Sequence, residues 1–129
     1  FFFFLKKYNL GSDKYIFLIN LFQNNGFFQE QLSDIVKIDK ATTARAIAKL
    51  VKESYVIREV NDKDKRAYNL YTTPKAESIK NILFRILDSW NKIMLDNFTN
   101  EEKEILLKLT EKVGSNILNQ AIEFEHNME

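Results

Sequence analysis

At 129 residues, 45% of them hydrophobic and 29% charged, the chain has the composition of one folded domain, or of one subunit of an intertwined dimer, and not of a disordered segment. The absence of Cys excludes disulfides, thiol oxidation switches and Cys-ligated metals, and no apolar run approaches the roughly 18–20 residues that span a bilayer. The net charge of +1 hides a basic front, with 12 Lys and Arg against 8 Asp and Glu in residues 1–73, and an acidic rear, with 7 against 10 in residues 74–129.

The lack of Cys and of a long apolar run suits a cytoplasmic protein without membrane association, and the charge asymmetry suits one that turns one side toward a polyanion. The chain opens on Phe, and FFFFLKKYNL is dense enough in large side chains to read as the buried end of a longer helix. Gly11 and Ser12 suit a helix start, Tyr15, Phe17, Leu18 and Leu21 follow at helical spacing, and Gly26 stops that helix. A short helix over 29–36 is expected to bury Leu32, Ile35 and Val36. Asp39 is a good N-cap for a helix over 40–54 with Thr43, Ile47 and Leu50 on its inner face.

Residues 55–60 and 67–73 have the β-branched and aromatic content of strands, joined through the charged stretch NDKDKRAYN at 61–69. Thr73 and Pro74 start a long helix reaching about Phe98, striped by Ile79, Ile82, Leu83, Ile86, Trp90, Ile93 and Met94. Thr99, followed by Glu102, is a capping box that opens a final helix lined by Leu106, Leu109, Val113, Ile117 and Leu118. The fold expected is mostly α with a small β-hairpin: a winged helix-turn-helix core at 11–73, flanked at 1–10 and 74–129 by helices that form a dimer interface.

Two constellations can meet a nucleic acid. On the 40–54 helix, Ala41, Ala44 and Ala48 permit close approach, Thr42 and Arg45 can reach bases or phosphates, and Lys49 and Lys52 suit phosphates. The helix alone is equally compatible with an ordinary solvated face. The loop tips the balance: Arg66 can enter a minor groove, Lys63 and Lys65 can neutralise phosphates, and Asp64 can hold Arg66 in one rotamer.

The run LSDIVKIDKATTARAIAKLVKESYVIREV, followed by NDKDKRAYNLYTTPK, resembles the DNA-binding core of the MarR family of transcriptional regulators. The wing signature Asp-x-Arg plus a small residue stands as Asp64, Lys65, Arg66 and Ala67, and the recognition-helix pattern as Thr42 or Thr43, Arg45 and Leu50. Glycines usual in the family are replaced by Lys37 in the helix turn, Ser54 before the first wing strand and Ala76 after the second, and the wing lacks a Pro.

The resemblance implies a homodimer on a palindromic double-stranded operator, most simply a repressor. Its DNA contacts would come from Lys40, Thr42, Thr43, Arg45, Lys49, Lys63, Asp64, Lys65 and Arg66. It also implies a small-molecule effector, for which Tyr15, Phe17, Phe22 and Trp90 are the candidate lining.

No enzyme is expected. The single His126 sits in a polar tail, Glu101, Glu102 and Glu104 decorate a helix start, and no Gly-rich phosphate loop or nucleophile motif is present. No metal or cofactor is expected either. The alternative from another class is a winged-helix module that binds a protein partner through its apolar end helices and does not bind DNA on its own.

Overall fold

The computed structural model describes residues 6–11 and 13–128, and the side chains of these apart from 118, 121–126 and 128. The Phe run and the Ser12 cap lie outside the described residues. Among the described residues, after helical residues 6–7, the elements follow in the order α1 (Tyr15–Gln23), α2 (Gln29–Val36), α3 (Lys40–Lys52), β1 (Val56–Val60), β2 (Tyr68–Thr72), α4 (Pro74–Met94) and α5 (Asn100–Met128). They pack as two compact units, one running to Leu87 and the other starting at Asp88. The boundary falls inside α4 and not at Thr73, because Ala76, Ile79 and Leu83 are buried in the core of the first unit.

That core joins Phe17, Leu18 and Leu21 of α1 to Leu32 of α2, Ile47 and Leu50 of α3, Tyr55, Val56 and Leu70. The chain before α1 is tied onto it by two buried polar groups. The Tyr55 hydroxyl donates to the Tyr8 carbonyl at 2.6 Å, and the Lys14 ammonium donates to the Asn9 carbonyl at 2.7 Å. Helix α1 starts at Tyr15, without a side-chain cap; the Gly11 carbonyl instead accepts from the N–H groups of Lys14 and Tyr15. The helix ends at Gln23 with Asn24 as its C-cap, whose N–H donates to the Leu21 carbonyl, and Gly26 beyond it turns the chain at φ 92°.

Helix α2 corrects one expectation. Its inward residues are Leu32 and Ser33, whose hydroxyl donates to the Ile38 carbonyl at 2.5 Å, while Ile35 is exposed and Val36 half-buried. On so short a helix only one turn faces inward, and Ile35 falls outside it. Between α2 and α3 the backbone turns at Lys37, with φ 60°, and a second left-handed residue, Ser54 at φ 65°, leads from α3 toward β1. Two of the three positions where glycine is usual in the family, Lys37 and Ser54, therefore keep the left-handed glycine conformation with an exposed L-residue, whereas Ala76 is buried in α4.

The hairpin is antiparallel, with Val56 opposite Thr72 and Val60 opposite Tyr68. On the far edge of β2, Phe28 forms an isolated antiparallel bridge with Asn69. The Leu70 N–H donates to the Phe27 carbonyl at 2.9 Å and the Gly26 N–H to the Leu70 carbonyl at 2.7 Å. Helix α4 is capped as expected by Thr73, whose hydroxyl accepts from the Ala76 N–H and donates to the Ser54 carbonyl.

In the second unit α4 stops at Met94, short of Phe98, and the chain turns through Asn97 at φ 64°. The capping box then forms: the Thr99 hydroxyl accepts from the Glu102 N–H and the Glu102 carboxylate from the Thr99 N–H. No described helix is long and apolar enough to cross a membrane.

Replacing Lys37 or Ser54 with Gly should stabilise the protein by about 0.5–1 kcal/mol each, since the left-handed strain is relieved and no packing is lost. Urea unfolding reads the gain, and destabilisation by both changes would contradict the backbone described here.

Candidate nucleic-acid interface

Helix α3 owes its position to its first turn. One oxygen of Asp39 accepts from the Thr42 N–H at 2.9 Å, the other from the Thr42 hydroxyl at 2.6 Å. The same hydroxyl receives a hydrogen bond from a terminal nitrogen of Arg45 at 3.1 Å. The Thr42 hydroxyl, then its N–H, holds the Asp39 carboxyl below the usual carboxylate range, with a smaller contribution from the charge of Arg45. The exposed side of α3 thus carries an arginine whose neighbours are already hydrogen-bonded to one another, beside the small residues Ala41, Ala44 and Ala48.

Thr43 does not share that face. It is fully buried, and its hydroxyl donates to the Asp39 carbonyl at 2.9 Å, so its expected role as a DNA contact is corrected to a core and helix-start role. Lys40 and Lys49 are exposed but already paired. Lys40 meets Glu30 of α2 at 2.8 Å, and Lys49 meets Asp13 at 3.1 Å. The Lys40 hydrogen bond lowers the Glu30 pKa. Burial pushes Asp13 up, but the hydrogen bond from Lys49 and the nearby ammonium charges carry it below its ordinary value. Exposed pairs of this kind are worth little in water, and a phosphate can replace the carboxylate.

The wing tip is built by a residue the sequence reading passed over. The Asn61 side-chain oxygen accepts from the N–H groups of Lys63 and Asp64 at 2.8 and 2.9 Å, and its amide donates to the Asn69 side chain at 2.9 Å. Asn69 in turn donates to the Gly26 carbonyl at 2.8 Å. Asn at a turn start was the available signal, because its side chain mimics a backbone acceptor two residues on. Asp64 accepts from the Arg66 N–H at 3.0 Å and stands 3.6 Å from its guanidinium. The Arg66 side chain nevertheless remains 95% exposed, as a probe projecting from the tip would be. Lys63 and Lys65 are exposed beside it.

Of the expected effector residues, Phe17 is sealed in the core of the first unit, Tyr15 is half-buried there, and Trp90 is 44% exposed on the second unit. No group of three or more His, Cys, Asp or Glu that could hold a metal occurs among the described residues.

Residues 14–68, which span the three helices and the charged loop, match the model of the MarR family. An uncharacterized HTH-type transcriptional regulator, YybA of Bacillus subtilis, is 31% identical over 112 residues, covering 87% of this chain and 75% of the relative. The chain belongs to the MarR family. It is therefore a DNA-binding transcriptional regulator of the winged-helix type, in a family of regulators and not of enzymes. Among solved structures, a MarR protein from Peptoclostridium difficile is 37% identical with a TM-score of 0.82, over 90% of this chain and 76% of that one. A MarR-family regulator from Listeria monocytogenes, solved with a 26mer DNA, is 33% identical with a TM-score of 0.82, over 90% of this chain and 77% of that one.

The depressed Asp39 carboxyl gives a pH dependence with a definite sign. Its stabilising contribution is complete above the unfolded carboxylate value and is lost as pH falls through the lower folded value, below about pH 4. Asp39→Asn should therefore flatten the acid limb of the stability curve relative to wild type, measured by thermal unfolding between neutral and acid pH. An unchanged acid limb would contradict the Asp39 geometry.

Proposed function

We propose that the chain is a homodimeric repressor acting in the cytoplasm on a palindromic operator. Helix α3 of each subunit lies in a major groove and each wing reaches the adjoining minor groove. Arg45 reads bases, Arg66 enters the minor groove, and Lys40, Lys49, Lys63 and Lys65 neutralise phosphates. The observation that carries this reading is the wing tip, where a 95% exposed arginine projects from a loop that Asn61 and Asp64 fix from within. A tip needed only for solubility has no use for so ordered a base.

The dimer rests on a second observation. Trp90, Ile93 and Met94 of α4, and Leu106, Leu109, Val113 and Ile117 of α5, are all exposed in the single chain. Apolar stripes of this extent on a soluble regulator call for burial, and a second copy presenting the same stripes supplies it. The half-sites are then about 34–36 Å apart, one turn of the duplex. A small-molecule effector is part of the proposal, and Tyr15, which is half-buried against the core of the first unit, is its candidate contact.

The test is fluorescence anisotropy with the promoter of the protein's own gene and a scrambled duplex. The reading expects salt-sensitive, sequence-selective binding, and Arg66→Ala should weaken operator affinity about tenfold while leaving the fold intact. Retained operator affinity in that variant at moderate salt would overturn the wing role. No selective binding by the wild type would favour the protein-interaction module instead.

A further inference from the structure

We propose that Asp39 and Thr42 are positioning residues that set the guanidinium of Arg45 for a guanine edge, an inference that rests on the DNA-reading role of α3 above. A threonine hydroxyl has one proton and two lone pairs. Here the proton is committed to Asp39 at 2.6 Å, which leaves a lone pair to accept from Arg45 at 3.1 Å. The other Asp39 oxygen is held by the Thr42 N–H, a bond the start of α3 requires in any case. The carboxylate is thereby pinned, and its hydrogen-bonded link to Arg45 runs through the intervening hydroxyl, beside a smaller direct charge attraction.

Two consequences follow for recognition. Arg45 is tethered through one terminal nitrogen; that nitrogen keeps a second N–H and the other terminal nitrogen keeps two, donors enough to meet O6 and N7 of guanine. Ordering a long side chain ordinarily costs affinity, and here much of that ordering precedes the encounter with DNA. Thr42, for its part, has no hydroxyl proton left for a base acceptor. It sets the arginine and does not itself read the sequence.

The role is separable from capping, because Thr42→Val removes the hydroxyl yet keeps both the shape and the N–H that Asp39 accepts. Two readouts are needed, one without DNA. In the free protein, nitrogen-15 relaxation of the Arg45 side chain should show an ordered guanidinium in the wild type and in Thr42→Ser, and a mobile one in Thr42→Val. With DNA, the ratio of operator to scrambled-duplex affinity should fall about tenfold in Thr42→Val and be restored in Thr42→Ser. In an Arg45→Ala background Thr42→Val should cost nothing more, since the two act as one unit. Circular dichroism checks that α3 stays folded.

A guanidinium equally mobile with and without the Thr42 hydroxyl would overturn the relay, as would additive effects of Thr42→Val and Arg45→Ala. Those outcomes in a wild type that still binds its operator selectively would leave the DNA-reading role standing. A wild type without selective binding would remove that role, and the guanine contact with it, even if the guanidinium were ordered.

Discussion

Gly26 and Phe27 exchange two backbone hydrogen bonds with Leu70 of β2, and asparagines stitch both ends of this seam. Asn25 accepts from the Thr72 N–H at 2.8 Å on one side, and Asn69 donates to the Gly26 carbonyl at 2.8 Å on the other. They add to the burial of Val56 and Leu70 in the core, since a two-stranded ribbon on its own is marginal in water. With them the wing is anchored to the loop between α1 and α2. Everything proposed for the wing tip depends on this anchorage, because an arginine on a swinging ribbon could not be aimed at a groove. The short cost of the seam is a left-handed Gly26, the one position in the first unit where a glycine is present at a positive φ.

The electrostatics of the candidate interface share one design. Lys40, Lys49 and Arg66 each have a carboxylate of the same chain beside them, supplied by Glu30, Asp13 and Asp64, and Arg45 has Asp39 at one remove. The carboxylates therefore belong to the candidate interface along with the cations they accompany. They do not abolish the positive face, since the pairs are solvent-exposed and a phosphate competes on equal chemical terms. They do hold long side chains in a few geometries before binding. The exchange of carboxylate for phosphate also means that binding releases fewer counterions per cation than a bare basic face would.

How much of this was legible in the sequence can be argued residue by residue. Asp39, Thr73 and the Thr99 box announced three helix starts correctly, because caps are local and chemically specific. The hairpin was read within a residue or two, and the pairing of Asp64 with Arg66 was expected from adjacency alone. What escaped the reading was non-local. The single bridge at Phe28 carries no periodic pattern, and the Glu30 and Asp13 partners of Lys40 and Lys49 come from distant parts of the sequence. Thr43 is a mixed case: its spacing put it on the inner face, as its burial bears out. Only the resemblance counted it with Thr42 as a DNA contact, though one position along a helix rotates a side chain by about a quarter turn or more. Lys37 and Ser54 adopt left-handed turns that their side chains disfavour, which tertiary packing imposes and local propensity does not reveal.

Two copies of the anchored wing and α3 would form a reading surface only if the exposed apolar residues of α4 and α5 are covered by a second chain, which would set the spacing between them. The most direct test is hydroxyl-radical footprinting of the complex formed on the operator. The account predicts two symmetric protected segments about 10 base pairs apart, each flanked by minor-groove protection that disappears when Arg66 is replaced. A single unsymmetrical footprint, or flanking protection that survives loss of Arg66, would contradict it.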